Sequence, residues 1–257
     1  MSLSTADLPI VEFDDSREAF IEPSMTTTPR DVAECCVPCF FLDVVEKVAA
    51  EHDARIVFEN RWEDGVHKLY EIDHDGKRVA FFQPGIGAPI AVGLLEEVIG
   101  VGCSTFVACG GCGVLNPDVG LGHLLCVESA VRDEGVSYHY LPPSREVVAD
   151  RSVLASITST LEQRDVPHTV GKTWTTSAPY RETRDRIARR REEGCVVVEM
   201  EAAALMAVAQ FRGARFGQIL YGGDDLSGSE WDNRDWQRKE QIRENLFWLC
   251  VEAVLAL

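Results

Sequence analysis

The rhythm of apolar and polar residues changes several times along the chain, and each change predicts an element. After an irregular opening over residues 1–30, Phe41, Val44, Val45, Val48 and Ala49 recur at three- and four-residue spacing. The stretch from Pro29 to Ala54 therefore predicts a helical region with one buried stripe. RIVFEN, HKLYEID and KRVAFFQP follow as three short strands, the last two joined at His74-Asp75-Gly76, which predicts an antiparallel meander. From Pro84 the pattern becomes glycine turn, apolar-periodic helix, then the buried strand STFVACG, ending at Cys109-Gly110-Gly111-Cys112. Beyond it, GHLLCVESAV, HTVGKTWTT, CVVVEM and RFGQILYGGDD predict strands. They alternate with helices in SREVVADRSVLASITSTLEQRD, YRETRDRIARRREEG and EAAALMAVAQFRG, and a long amphipathic helix runs from Arg234 to the end.

Such alternation predicts an α/β fold, a single domain over residues 1–257 built as a three-layer α/β/α sandwich with a mixed central sheet. Ligands in folds of this class sit where strands end in glycine turns. Three such ends are expected here, at Gly85 to Gly87, Gly110 to Gly113 and Gly222 to Asp225.

Composition narrows the function classes. With 46% hydrophobic and 26% charged residues and no apolar run near ~20 residues, no membrane partner is expected. The first twenty residues carry acids where a secretory signal has a basic cluster and an apolar core, so a cytoplasmic location is expected. A formal charge of −17 repels polyanions, and the one arginine-rich stretch, Arg181 to Gly194, mixes signs at helical spacing. Nucleic acid is therefore not an expected partner. Nine cysteines, an odd number, argue against disulfides, and most stand in apolar runs, where free cysteine acts as a small hydrophobe. Cys35-Cys36-x-x-Cys39 and Cys109-x-x-Cys112 lack the polar flanks of zinc knuckles, so no metal is expected.

Two clusters carry candidate chemistry. In CVVVEMEAAALMAVA a buried strand runs into Glu199-Met200-Glu201 and then into an alanine-rich helix. One acid suits a helix amino terminus. Two acids around an apolar residue suit a sugar better, with a carboxylate accepting from paired hydroxyls and Met200 against the ring. In QILYGGDDLSG a strand opens through two glycines onto Asp224 and Asp225, an arrangement that a turn alone also explains.

Taken in order, GIGAP, GCGVLNPDVGLG, AVRDEGVSYHYLP, VVVEMEAAALMAVA and the strand leading to Asp224 resemble the nucleoside phosphorylase and nucleosidase superfamily over more than half the chain. The resemblance implies a homo-oligomeric enzyme, dimer or hexamer, that breaks the N-glycosidic bond of a nucleoside. It implies Glu201, with Glu199 and Met200, at the ribose, and Asp224 as the acid that protonates the leaving base, with Asp225 beside it as the other possibility. Trp174, Tyr180 and Arg181 are candidates for the base, although large aromatics are more often core. Gly85, Gly87, Gly110 and Gly111 would form the acceptor loop, with phosphate as co-substrate and no other cofactor.

The chain departs from the family at that loop. Where relatives hold phosphate with an arginine and a serine or threonine stand Ala108 and Gly111; Arg30, Arg55 and Arg61 are possible substitutes. Three readings remain open: phosphorolysis to free base and (deoxy)ribose 1-phosphate, hydrolysis by a phosphate-independent nucleosidase, and a silent nucleoside-binding homologue. The acidic charge favours neutral nucleosides over nucleotides in each.

Overall fold

In the computed structural model, which describes residues 6–236 and 239–257, ten strands among the described residues form one mixed sheet. Residues 1–5 of the irregular opening and residues 237–238 of the expected tail helix lie outside the described residues. The meander is as expected: β2 (Arg55–Trp62), β3 (Gly65–His74) and β4 (Lys77–Phe82) pair antiparallel, with positive φ at Asp75 and Gly76 in the turn. β4 lies parallel to β1 (Cys35–Pro38), and β1 parallel to β5 (Thr105–Val114).

From β5 the sheet rolls up. β5 pairs parallel with β10 (Arg215–Asp225), β10 antiparallel with β6 (Leu124–Asp133), and β6 parallel with β8 (His168–Thr176). β8 then runs parallel to β9 (Cys195–Glu199), whose Val198 faces Gly113 and returns the path to β5. The mixed sheet of the expected α/β fold is thus part open and part a closed ring of five strands. Helices cover both faces: α3 (Ala88–Val101) and α6 (Ala202–Arg212) share one core cluster, and α2 (Leu42–Glu51), α4 (Arg151–Gln163) and α7 (Glu240–Leu255) the other, while α1 (Pro23–Thr26) and α5 (Arg184–Glu192) are shorter.

Two helices start later than expected, at Arg184 instead of Tyr180 and at Glu240 instead of Arg234, and three further expectations change. The region from Pro29 to Ala54 is not all helix, because Cys35–Pro38 is a strand. Cys36 and Val37 point into opposite cores, a two-residue period that the helical stripe beyond Phe41 had masked. The helix expected from Ser144 begins at Arg151, where the Asp150 carboxylate accepts from the backbone N–H of Ser152 and Val153. Its first residues instead form β7 (Glu146–Val148) against β6.

The third change bears on function. Gly110 to Gly113 and Gly222 to Asp225 are not turns but lie at the ends of β5 and β10, where Gly222 pairs with Cys112 and Asp225 with Val114 across a register shift. Close approach explains the glycines: a Cβ on Gly222 would stand 2.7 Å from the Gly120 carbonyl oxygen, and one on Gly113 2.6 Å from Leu226. Gly85 and Gly87 do form a turn, at φ 78° and 97°, which opens α3.

Among the described residues no helix is long and apolar enough to cross a membrane. All nine cysteines are unbonded, eight of them buried, and no group of three potential metal ligands is found among the described residues.

Candidate active site

β5, β9 and β10 end around one cavity of about 500 Å³. Its wall includes Glu199, Met200, Glu201, Asp224, Gly110 and Gly111 from the expected set.

The Glu-Met-Glu segment is built where β9 passes into α6. Glu199 is the structural member. Its carboxylate accepts from the backbone N–H of Glu201 and Ala202 at 2.7 and 2.6 Å, and from the Thr175 and Thr173 hydroxyls at 2.6 and 3.3 Å. It thereby caps α6 and ties that helix to β8. Glu201 accepts from the backbone N–H of Gly87 at 2.6 Å, so the Gly-Ile-Gly turn is fastened to it. Burial pushes both carboxyls above the ordinary range, and Glu199 pushes Glu201 further. Four donors favour the charge on Glu199, which leaves Glu201 as the member of the pair that keeps a proton.

Asp224 follows an irregularity in β10 between Gly222 and Asp225, and it is half-buried. Its carboxylate accepts from the Trp231 indole N–H at 2.7 Å, and it lies 3.6 Å from where a Gly113 Cβ would stand. Asp225, the other possible acid, is committed elsewhere. It pairs with Arg234 and accepts from Ser227 N–H at 2.7 Å; burial opposes its charge, but these partners hold its carboxyl below the ordinary range.

The expected base readers do not reach the cavity. Trp174 is fully buried in a core cluster with Leu115, Val131 and Val198, its indole N–H donates to Asp133 at 3.0 Å, and the Arg190 guanidinium covers its ring. Trp174→Ala is accordingly expected to cost about 3–5 kcal/mol of folding stability, read as a lower urea midpoint. Tyr180 is 99% exposed on a 3-10 turn, Pro179–Arg181, and Arg181 is exposed beside it. The same segment instead sends Pro179 and Glu182, three residues apart, to the wall. Burial, and then the neighbouring Asp224, push the Glu182 carboxyl up to about 7.

Arg30, Arg55 and Arg61 do not line the cavity; Arg30 donates to the Val57 carbonyl and Arg55 pairs with Glu71. Ala108 is buried in the core, while Gly111 is in the wall. Sequence reasoning missed Gln218, Arg243, Phe40 and Phe41, which also line it. Arg243 did leave a trace: it falls one turn before Leu246 and Phe247 on the apolar stripe of α7, an odd place for a charge.

Residues 39–256 match the sequence profile of the phosphorylase superfamily. The chain belongs to that superfamily. Within it, a guanosine phosphorylase from Halorubrum lacusprofundi is 28% identical over 211 residues, 80% of this chain and 86% of that protein. A uridine phosphorylase from Salmonella typhimurium is 29% identical over 227 residues, 83% and 88% of the two chains. Two solved structures share the fold of this superfamily member at 20% identity. A uridine phosphorylase from Vibrio fischeri has a TM-score of 0.75 over 90% of this chain and 95% of its own. An AMP nucleosidase from Bacteroides thetaiotaomicron has a TM-score of 0.72 over 88% and 89%.

Proposed function

We propose that the protein is a nucleoside phosphorylase, a pentosyltransferase that converts a nucleoside and inorganic phosphate to free base and (deoxy)ribose 1-phosphate. The observation that carries this is one cavity holding a buried carboxyl at the Glu-Met-Glu junction and, at another point of its wall, the carboxyl pair of Glu182 and Asp224. The first suits the ribose 2′ and 3′ hydroxyls, with Met200 against the sugar. The second faces the base. As a phosphate oxygen bonds to C1′, the C1′–N bond breaks, its electron pair passes to the base, and the proton held between Glu182 and Asp224, delivered by Asp224, neutralises the ring.

A pair of carboxyls also selects among bases. Uracil offers two carbonyl acceptors around one N–H and calls for donors. A 6-oxo-2-aminopurine offers N1–H and the 2-amino group side by side, which match one carboxylate, and offers N7 to a proton donor. Glu182 and Asp224 hold one proton between them, so that one carboxylate can accept from this edge while the other carboxyl donates to N7, and one of the relatives is named a guanosine phosphorylase. Guanosine is therefore the expected preferred substrate over uridine. Its kcat/KM should fall as pH climbs through about 7 and the pair loses that proton, and Glu182→Gln should flatten that limb.

Water is the alternative acceptor, favoured by Ala108 and Gly111 in place of charged and hydroxyl ligands and by the nucleosidase among the similar folds. Release of base from guanosine with and without added phosphate separates the two. Acceleration by phosphate with formation of ribose 1-phosphate is expected; equal rates and free ribose would establish the hydrolase. The same reading makes the enzyme a cytoplasmic homo-oligomer, dimer or hexamer.

A further inference from the structure

The cavity follows the end of β5, so its two ends can be placed along that strand. Asp224 stands beside Gly113. Three residues back, roughly 10 Å along an extended strand, the atoms nearest a Gly110 Cβ would be those of Leu220, Phe40 and the Gln218 amide, at 3.4, 3.4 and 3.6 Å. Gly111 faces the Tyr221 ring; Tyr221 packs against Phe41 at 5.7 Å, and the Arg243 guanidinium lies over Phe41 at 4.6 Å.

Arg243 is the one lysine or arginine among the described residues of the wall, against four carboxyls, Glu182, Glu199, Glu201 and Asp224. Its Nη1 donates to Asp43 at 2.9 Å, whereas its buried Nε finds no acceptor among the described residues. Gln218 is 1% exposed, and its Oε1 likewise has no partner among the described residues. Buried polar atoms of this kind are costly unless something else meets them. A cation held by one nitrogen, with donor capacity to spare, is suited to a tetrahedral oxyanion.

We infer that Arg243, reaching in from the carboxy-terminal helix, holds the acceptor phosphate of this enzyme, with the Gln218 amide on the same cavity wall able to donate from Nε2 and to accept from a P–OH through Oε1. The inference rests on the phosphorolytic reading. It places on α7 the charge that Ala108 and Gly111 of β5 do not supply, with Asp43 holding one nitrogen of the guanidinium. The anion then lies near the sugar held at Glu201 and away from the base at Asp224.

The test is inorganic phosphate added to wild type, Arg243→Met and Arg243→Lys, followed by thermal shift and steady-state kinetics. Phosphate is expected to raise the wild-type Tm and to lose that effect in Arg243→Met. KM for phosphate should rise at least about tenfold, the loss of one charge-assisted contact, with KM for the nucleoside within about twofold and partial recovery in Arg243→Lys. If Arg243→Met does not fold, Gln218→Glu places a carboxylate against the anion and should abolish the phosphate response. An unchanged phosphate response in either folded variant, or no phosphate-induced shift in wild type, overturns the assignment. A wild-type rate that ignores phosphate, together with a thermal shift that still depends on Arg243, would sink the phosphorolytic reading and leave the anion site standing.

Discussion

Glu201→Gln is expected to lower kcat/KM for the nucleoside by about 10²–10⁴-fold. Glu201 gives up its proton to solvent as the two ribose hydroxyls donate to it, and the resulting carboxylate makes two hydrogen bonds to a charged group, each worth about 1.5–3 kcal/mol, where tenfold corresponds to about 1.4 kcal/mol. The loss should appear in kcat as well as KM, because binding energy from the sugar is spent on reaching the transition state at C1′. Gln keeps the shape and can still accept from Gly87 N–H, so the fold should survive. Stability supplies an independent check on the sign. Burial and Glu199 hold the Glu201 proton above the ordinary carboxylate range, so the native state binds more protons than the unfolded chain within that window. Wild-type stability should therefore fall as pH rises from the unfolded-state value toward the raised native one, and urea midpoints of Glu201→Gln should decline less. A folded Gln variant with wild-type kcat/KM would remove Glu201 from the sugar site.

Asp224→Ala is expected to act on the other half of the reaction. General acid assistance contributes about 10²–10⁴-fold, so kcat should fall by that order while the dissociation constant for the nucleoside changes only a few-fold. Asp225→Ala should behave differently, since Asp225 holds Arg234 and Ser227 and faces no substrate; its cost should appear in stability. A nucleoside activated at the base with a better leaving group should recover most of the Asp224→Ala defect, because a weakly basic leaving group needs little protonation. Failure of that rescue, with binding intact, would assign Asp224 a structural role.

Much of the fold could be read from residue order because local pattern and tertiary placement agree there. The meander from Arg55 to Phe82 and α3 carry their pattern openly, and α6 is marked by its alanine-rich run and the closing Gly213. Cys35–Pro38 could not be read so, because four residues of a buried central strand look apolar on both sides and merge with the helix that follows. The glycines of β5 and β10 misled for a related reason: glycine marks turns, but it also marks strands that other strands cross closely. In the cavity, Glu201 and Asp224 stand at the ends of β9 and β10, the strands on either side of the end of β5, and were legible from their junctions. Trp174 was not, since a fully buried aromatic and a pocket aromatic have the same one-letter neighbours. Glu182 and Arg243 were hidden because nothing local reports that a 3-10 turn and the final helix meet at one cavity.

The closed part of the sheet has a consequence for solubility. An open sheet of ten strands would present two long rows of unpaired backbone groups, each a template for another chain. Return of the path through β9 to β5 leaves only the three-residue β7 and the outer side of β2 as rims among the described residues. β2 bears Arg55, Glu59 and Arg61, all exposed, whose charges discourage a second strand from docking. The chain can therefore keep glycine-rich, nearly uncharged strands at its centre, where a catalytic cavity needs bare backbone, without offering those strands to its neighbours in a crowded solution.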